Sequence, residues 1–171
     1  MTEYIHNSNL LLPEDVIPHC PPSLWVTGVQ ELIPGKSIKG FWIPDDEQFL
    51  GHFPDEPVLM GNKQVEALCQ LGCYVVMCDN PGKLAISLAG TNRARFPEPV
   101  FPSETLELSV DIIKQEKRLF EGIGRAAVNG LMTCEVNIEG TIISKALQAR
   151  ALRKARSIRA TSASIKYKSI F

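Results

Sequence analysis

The sequence predicts an α+β domain in which one long central helix is wrapped by a curved antiparallel sheet. Three observations carry this. Gly61 to Asn80 runs without proline, is rich in Val, Leu, Ala, Met and Cys, and stops at Asn80-Pro81-Gly82, a strong terminator. Segments with partial period-two patterning lie on both sides of it. Turn residues separate those segments at short intervals. A buried helix packed on one antiparallel sheet satisfies the apolar surfaces of both.

The first pair of strands is predicted over Ser23 to Leu32 and Lys36 to Ile43, with Pro34-Gly35 between them. Pro44 to Pro57 holds Asp45, Asp46, Gly51, Pro54, Asp55 and Pro57 and reads as a loop. The helix follows, and its later part, Leu71 to Cys78, is apolar on nearly every face. A helix tolerates that only when it is surrounded by other structure. Four further strands are predicted over Lys83 to Phe96, Thr105 to Gln115, Arg118 to Asn129 and Leu131 to Ser144. In the second of these, Leu106, Leu108, Val110 and Ile112 face one way while Glu107, Ser109 and Asp111 face the other.

The chain has 171 residues, 44% of them hydrophobic, which suits one core and not two. A single domain over residues 1–145 is expected, with an N-terminal arm over 1–16. Residues 146–171 form a basic tail, partly helical to about Arg156 and then mobile. It carries seven Lys or Arg and no acid. The formal net charge of −1 gives no sign of nucleic-acid binding. No apolar stretch reaches the roughly 18 residues of a membrane span, and the Leu10-Leu11-Leu12 run is too short for a signal segment. Five cysteines, Cys20, Cys69, Cys73, Cys78 and Cys134, show no C-x-x-C spacing. Buried free thiols in a reducing cytoplasm are expected, with no metal.

Candidate chemistry centres on His52 and Glu66. His6 reads as a solvated residue of a polar terminus, and His19 as a loop histidine with a backbone hydrogen bond. His52 lies in Gly51-His52-Phe53-Pro54-Asp55-Glu56-Pro57-Val58, which leads into Gly61 and the helix. Glu66 is a carboxylate early in a helix otherwise bound for the core, where burial without a partner or role is costly. Asn62, Lys63 and Gln70 stand three or four residues from it and make one polar stripe. That stripe faces either water or a site. In the second case His52 and Glu66 are two titratable groups of different basicity beside a helix N-terminus, where the Gly61 N–H favours a developing oxyanion. Such a set suits proton abstraction next to a carbonyl, with a second group protonating the leaving oxygen.

Gly51-His52-Phe53-Pro54, Pro57-Val58, Gly61, Glu66-Ala67 and Gln70 resemble the signature of the bacterial 3-hydroxyacyl-acyl-carrier-protein dehydratases. Pro18-His19, Pro34-Gly35-Lys36 and Asn92-Arg93-Ala94-Arg95-Phe96 resemble the same family, so the likeness runs from about Pro18 to Ile143. It implies the hotdog fold, and dehydration of a carrier-bound 3-hydroxyacyl thioester in fatty-acid or polyketide-type biosynthesis. By this resemblance His52 and Glu66 are catalytic, Gly61 is the oxyanion donor, and Gln70, Phe53 and Pro57 support the pair. It also implies a homodimer, with hexamers as trimers of dimers, in which each site takes its histidine from one subunit and its glutamate from the other. The acyl carrier protein is the implied partner. No cofactor is expected, because the phosphopantetheine arrives on the carrier, and the basic tail offers a surface for acidic carriers.

The chain departs from the family pattern at the helix start. Met60 stands where the family has proline, which predicts a looser first turn. Asn62, Lys63 and Gln64 stand where mostly apolar residues are expected, and Lys63 is placed to pair with Glu66 or to contact substrate. Two other readings therefore stand beside dehydration. One is an acyl thioesterase on the same fold, and the other a carrier-binding partner with weakened catalysis.

Overall fold

The computed structural model describes residues 5–6, 10–79, 81, 83–154 and 156, with side chains from residue 10 onward. The expected side chain of His6 and the expected mobile end beyond residue 156 lie outside the described residues. Seven strands form one antiparallel sheet in the order β1-β2-β3-β5-β6-β7-β4. They are β1 (Ile5–His6), β2 (Gly28–Ile33), β3 (Ser37–Trp42), β4 (Leu84–Arg95), β5 (Leu106–Gln115), β6 (Leu119–Val128) and β7 (Leu131–Ser144). Helices α1 (Pro13–Val16) and α2 (Gly61–Met77) and a 3-10 turn over Asp46–Phe49 accompany the strands. This is the hotdog arrangement, with α2 as its filling.

Strands β4 to β7 fall within a residue or two of the segments read from alternation. Strand β2 is shorter than expected, starting at Gly28 instead of Ser23. The reason is a competing partner: the Ser23 carbonyl and the Trp25 N–H both bond to the side chain of Gln70, which removes them from a ladder. Strand β1, unforeseen in the polar N-terminus, pairs with the outer edge of β2 through Ile5↔Leu32. Residues 145–154 are helical, as the tail composition implies.

Helix α2 buries Leu68, Leu71, Tyr74, Val75 and Met77 to within 1% of full burial, and each such side chain stabilises the fold by about 2 kcal/mol. They pack on Ile38, Leu108, Val110, Phe120 and Ile138 of the sheet. Strand β6 turns Phe120, Gly122, Gly124, Ala126 and Val128 inward. Its small residues let α2 approach closely, since a Cβ on Gly124 would stand 3.0 Å from the Cβ of Leu68.

The opposite face of the sheet is polar. Pairing in register places Glu31, Lys39, Ser109, Arg125, Glu135 and Arg95 in one row across six strands. Lys39 pairs with Glu31, and Arg125 and Arg95 both reach Glu135. The two arginines, the larger hydrogen bond being that from Arg95, hold the Glu135 carboxyl below its ordinary range. Among the described residues no helix is long and apolar enough to cross a membrane.

Candidate active site

His52 is held by the loop it belongs to. Val58 N–H donates to the His52 carbonyl at 2.8 Å, and His52 Nδ1 lies 3.0 Å from the Val58 carbonyl. A carbonyl accepts only, so Nδ1 carries a proton and, in the neutral imidazole, the lone pair is on Nε2. The Phe53 ring stacks on the imidazole with centroids 4.2 Å apart, and the peptide joining the two residues is cis. Phe53 and Pro57 line an apolar hollow beside the loop. His52 itself lines a cavity of about 460 Å³ with Val58, Gly61, Asn62, Gln64 and Phe96.

Gly61 opens α2, and the first N–H groups of a helix have no partner within it. The Phe96 ring packs against this glycine so closely that a Cβ there would stand 2.7 Å from it. Backbone and ring thus share the cavity wall. Met60 does not leave the helix start loose: Leu59 N–H bonds to the Val100 carbonyl at 2.9 Å and Lys63 N–H to the Met60 carbonyl at 3.0 Å.

The expected pairing of Lys63 with Glu66 does not form. Lys63 Nζ donates instead to the Gln48 carbonyl at 2.7 Å, tying α2 to the 3-10 turn. That carbonyl lies at a turn end and lacks a helical partner, so it competes well for an ammonium donor. Asn62 is exposed at the cavity mouth. Gln64 is buried to 2% with Oε1 unpartnered, and it faces the His52 cavity, not water.

Glu66 sits in a different setting. Gln70 Nε2 donates to its Oε1 at 3.1 Å. His19 corrects the expectation of a backbone hydrogen bond: its Nε2 faces the same Oε1 at 3.7 Å, and its Nδ1 is buried without a partner. Gln70 is buried as well, so the polar stripe of Asn62, Lys63, Glu66 and Gln70 is not one solvated face. Cys69 and Cys73 follow on the same side of α2. Burial first, then the Glu66 charge, pushes the Cys73 thiol up to about 12 and raises that of Cys69 further, so both stay protonated and inert.

Within one chain His52 and Glu66 are not brought together. At 3.6 residues per turn Gln64, which faces His52, points about 200° away from Glu66. The two groups therefore have separate surroundings within one chain, His52 beside Gly61, Asn62 and Gln64 and Glu66 beside His19 and Gln70. His19 is the neighbour of Glu66 that the sequence does not reveal: Pro18-His19 is legible as a family segment, but its contact with the carboxylate is not.

The sequence model of FabA-like domains matches residues 37–137. The 3-hydroxyacyl-[acyl-carrier-protein] dehydratase FabZ of Bacillus subtilis (strain 168) is 38% identical over 129 residues, covering 73% of this chain and 91% of that protein. FabZ of Clostridium novyi (strain NT) is 39% identical over 129 residues, 73% of this chain and 90% of that protein. Among solved structures, the dehydratase heterocomplex ApeI:P from Xenorhabdus doucetiae matches with a TM-score of 0.70 at 14% identity, covering 84% of this chain and 99% of that one. A hypothetical thioesterase with coenzyme A from Streptococcus pneumoniae TIGR4 matches at 0.56 and 8% identity, covering 68% and 84%. Likenesses this remote show the fold alone, and both activities use it. The family match over more than half of the chain, together with these sequence relatives, carries the assignment: the chain belongs to the FabA-like family, alongside the FabZ dehydratases.

Proposed function

We propose that the chain removes water from a 3-hydroxyacyl thioester carried on an acyl carrier protein, giving the trans-2-enoyl thioester. The observation that carries this reading is the His52–Val58 bond, which leaves Nε2 as a free base in a cavity shared with the Gly61 N–H. His52 Nε2 takes a proton from C2, and the C2–H electron pair forms the C2–C3 double bond. The Gly61 N–H stabilises the charge that develops on the thioester oxygen. Glu66 gives a proton to the C3 hydroxyl, whose C–O bond breaks with its electrons leaving on water.

The separate surroundings of His52 and Glu66 support a site completed by a second copy of the chain, with His52 from one and Glu66 from the other. Among the described residues strand β4 is a sheet edge, paired with β7 alone, and edge-to-edge pairing of two such strands joins two sheets. Hexamers follow as trimers of these dimers. No cofactor or metal takes part, since the phosphopantetheine comes with the carrier. Asn62 at the cavity mouth contacts substrate, and the basic helix after β7 steers an acidic carrier. Free thiols throughout fit a cytoplasmic enzyme.

The reading of a weakened carrier-binding partner loses support, because Lys63 does not pair with Glu66. Mass spectrometry of a 3-hydroxyacyl carrier protein incubated with wild type, His52→Ala and Glu66→Gln tests the assignment. Loss of water with the wild type, reduced by about 10²–10⁴-fold in each variant, supports it. Free carrier thiol without loss of water would mean a thioesterase.

A further inference from the structure

Three residues of α2 spaced four apart hold one segment of chain. Tyr74 OH donates to the Leu11 carbonyl at 2.8 Å. Gln70 Nε2 donates to the Ser23 carbonyl at 2.8 Å, and its Oε1 accepts the Trp25 N–H at 2.9 Å. Between those anchors His19 faces Glu66 at 3.7 Å. The segment from Leu10 to Trp25 is thus strapped along one ridge of the helix, and its path leaves the imidazole over the carboxylate. Stacking of Trp25 on Trp42, with centroids 5.6 Å apart, anchors the far end of the strap to β3.

We infer that His19 is a positioning residue for Glu66, holding one carboxyl oxygen so that the other presents the proton to substrate. The inference rests on the proposed role of Glu66 as the acid. Two side chains converge on a single atom, Oε1: the Gln70 amide at 3.1 Å and the His19 Nε2 at 3.7 Å. An oxygen that accepts from the Gln70 amide and faces a second donor is the carbonyl-like one of a carboxylic acid, which leaves Oε2 to carry the transferable proton. His19 Nδ1 is buried and meets no hydrogen-bonding group among the described residues. A lone pair is tolerated there more readily than an N–H, which puts the imidazole proton on Nε2, toward the carboxylate. The 3.7 Å separation is longer than a hydrogen bond, and a small rotation in the substrate complex closes it, as is common for catalytic contacts.

The role is separable from packing. His19→Phe keeps an aromatic ring without a donor, His19→Gln keeps an N–H donor without a ring, and His19→Ala keeps neither. Each is assayed for dehydration of a 3-hydroxyacyl carrier protein, with thermal melting as the check on folding. We expect kcat to fall by up to about a hundredfold in His19→Phe and His19→Ala, the cost of a misplaced catalytic group, with KM little changed and His19→Gln recovering most of the loss. His19→Phe as active as His19→Gln means that the ring is only packing, and overturns the inference. So does a folded His19→Ala with wild-type kcat, or a loss confined to KM. Glu66→Gln, run beside them, separates the two levels. Full activity there removes Glu66 from the chemistry altogether, whereas its loss beside an active His19→Phe defeats the His19 assignment alone.

Discussion

Gln70 Nε2 lies 3.1 Å from Glu66 Oε1 one helical turn away, while Gln70 Oε1 accepts the backbone N–H of Trp25. One buried carboxamide therefore joins the candidate acid to the strap that crosses α2. Replacing Gln70 with Leu leaves the Trp25 N–H and the Ser23 carbonyl unpaired, at about 1–3 kcal/mol for each group that stays buried. A lower melting temperature and a reduced kcat are expected together. Thermal denaturation and steady-state kinetics of Gln70→Leu check this, and a stable, fully active variant would contradict it.

Gly61 and Phe96 share the wall of the His52 cavity. A methyl group at residue 61 meets the Phe96 ring at 2.7 Å, but that ring is 48% exposed and free to swing outward. Gly61→Ala is therefore expected to keep most of its stability and to lose activity by reshaping the cavity. Adding Phe96→Leu to the same chain makes room and restores part of kcat/KM. Circular dichroism melts and kinetics of the single and double variants decide the point.

Lys63 serves the fold more than the acid. Lys63→Met removes a charge-assisted bond to the Gln48 carbonyl, at about 1–2 kcal/mol for a half-buried donor. The pH–rate profile should keep its shape, because the ammonium does not touch Glu66. A displaced profile in the variant would show that the ammonium and the carboxylate interact during turnover.

The buried thiols make stability depend on alkaline pH. Burial, followed by a neighbouring carboxylate, pushes Cys73 and Cys134 up to about 12, whereas unfolded thiols titrate near about 8.5. Above that lower value the folded state binds more protons than the unfolded one, so stability is fully present below it and falls as pH rises toward about 12. The urea midpoint should drop between neutral pH and mildly alkaline pH. At neutral pH a maleimide should label the exposed Cys20 rapidly and the buried Cys69 and Cys134 only after unfolding.

Helix α2 and strands β3 to β7 were legible because their signals are local. Alternation in Leu106–Val110 and the proline-free run after Gly61 each report one element's own period. Strand β1 and the late start of β2 were not legible, since both depend on which distant group captures a backbone donor or acceptor. For the same reason Lys63 meets the Gln48 carbonyl and not Glu66. Spacing along a helix shows which residues lie near one another, but not that the Gln48 carbonyl, from a separate turn, lies closer.

By itself the sequence determined the fold class, the helix that carries Glu66, the loop that carries His52, and the family resemblance that names both. Tertiary structure decided how these groups are arranged. It fixed the His52 Nδ1 contact through the Val58 carbonyl, brought His19 to Glu66, and gave His52 and Glu66 separate surroundings. Residue identity and local periodicity are properties of short stretches of chain. Which side chains meet depends on how a strap anchored by Gln70 and Tyr74 crosses a helix some fifty residues away, and only the packed core settles that path.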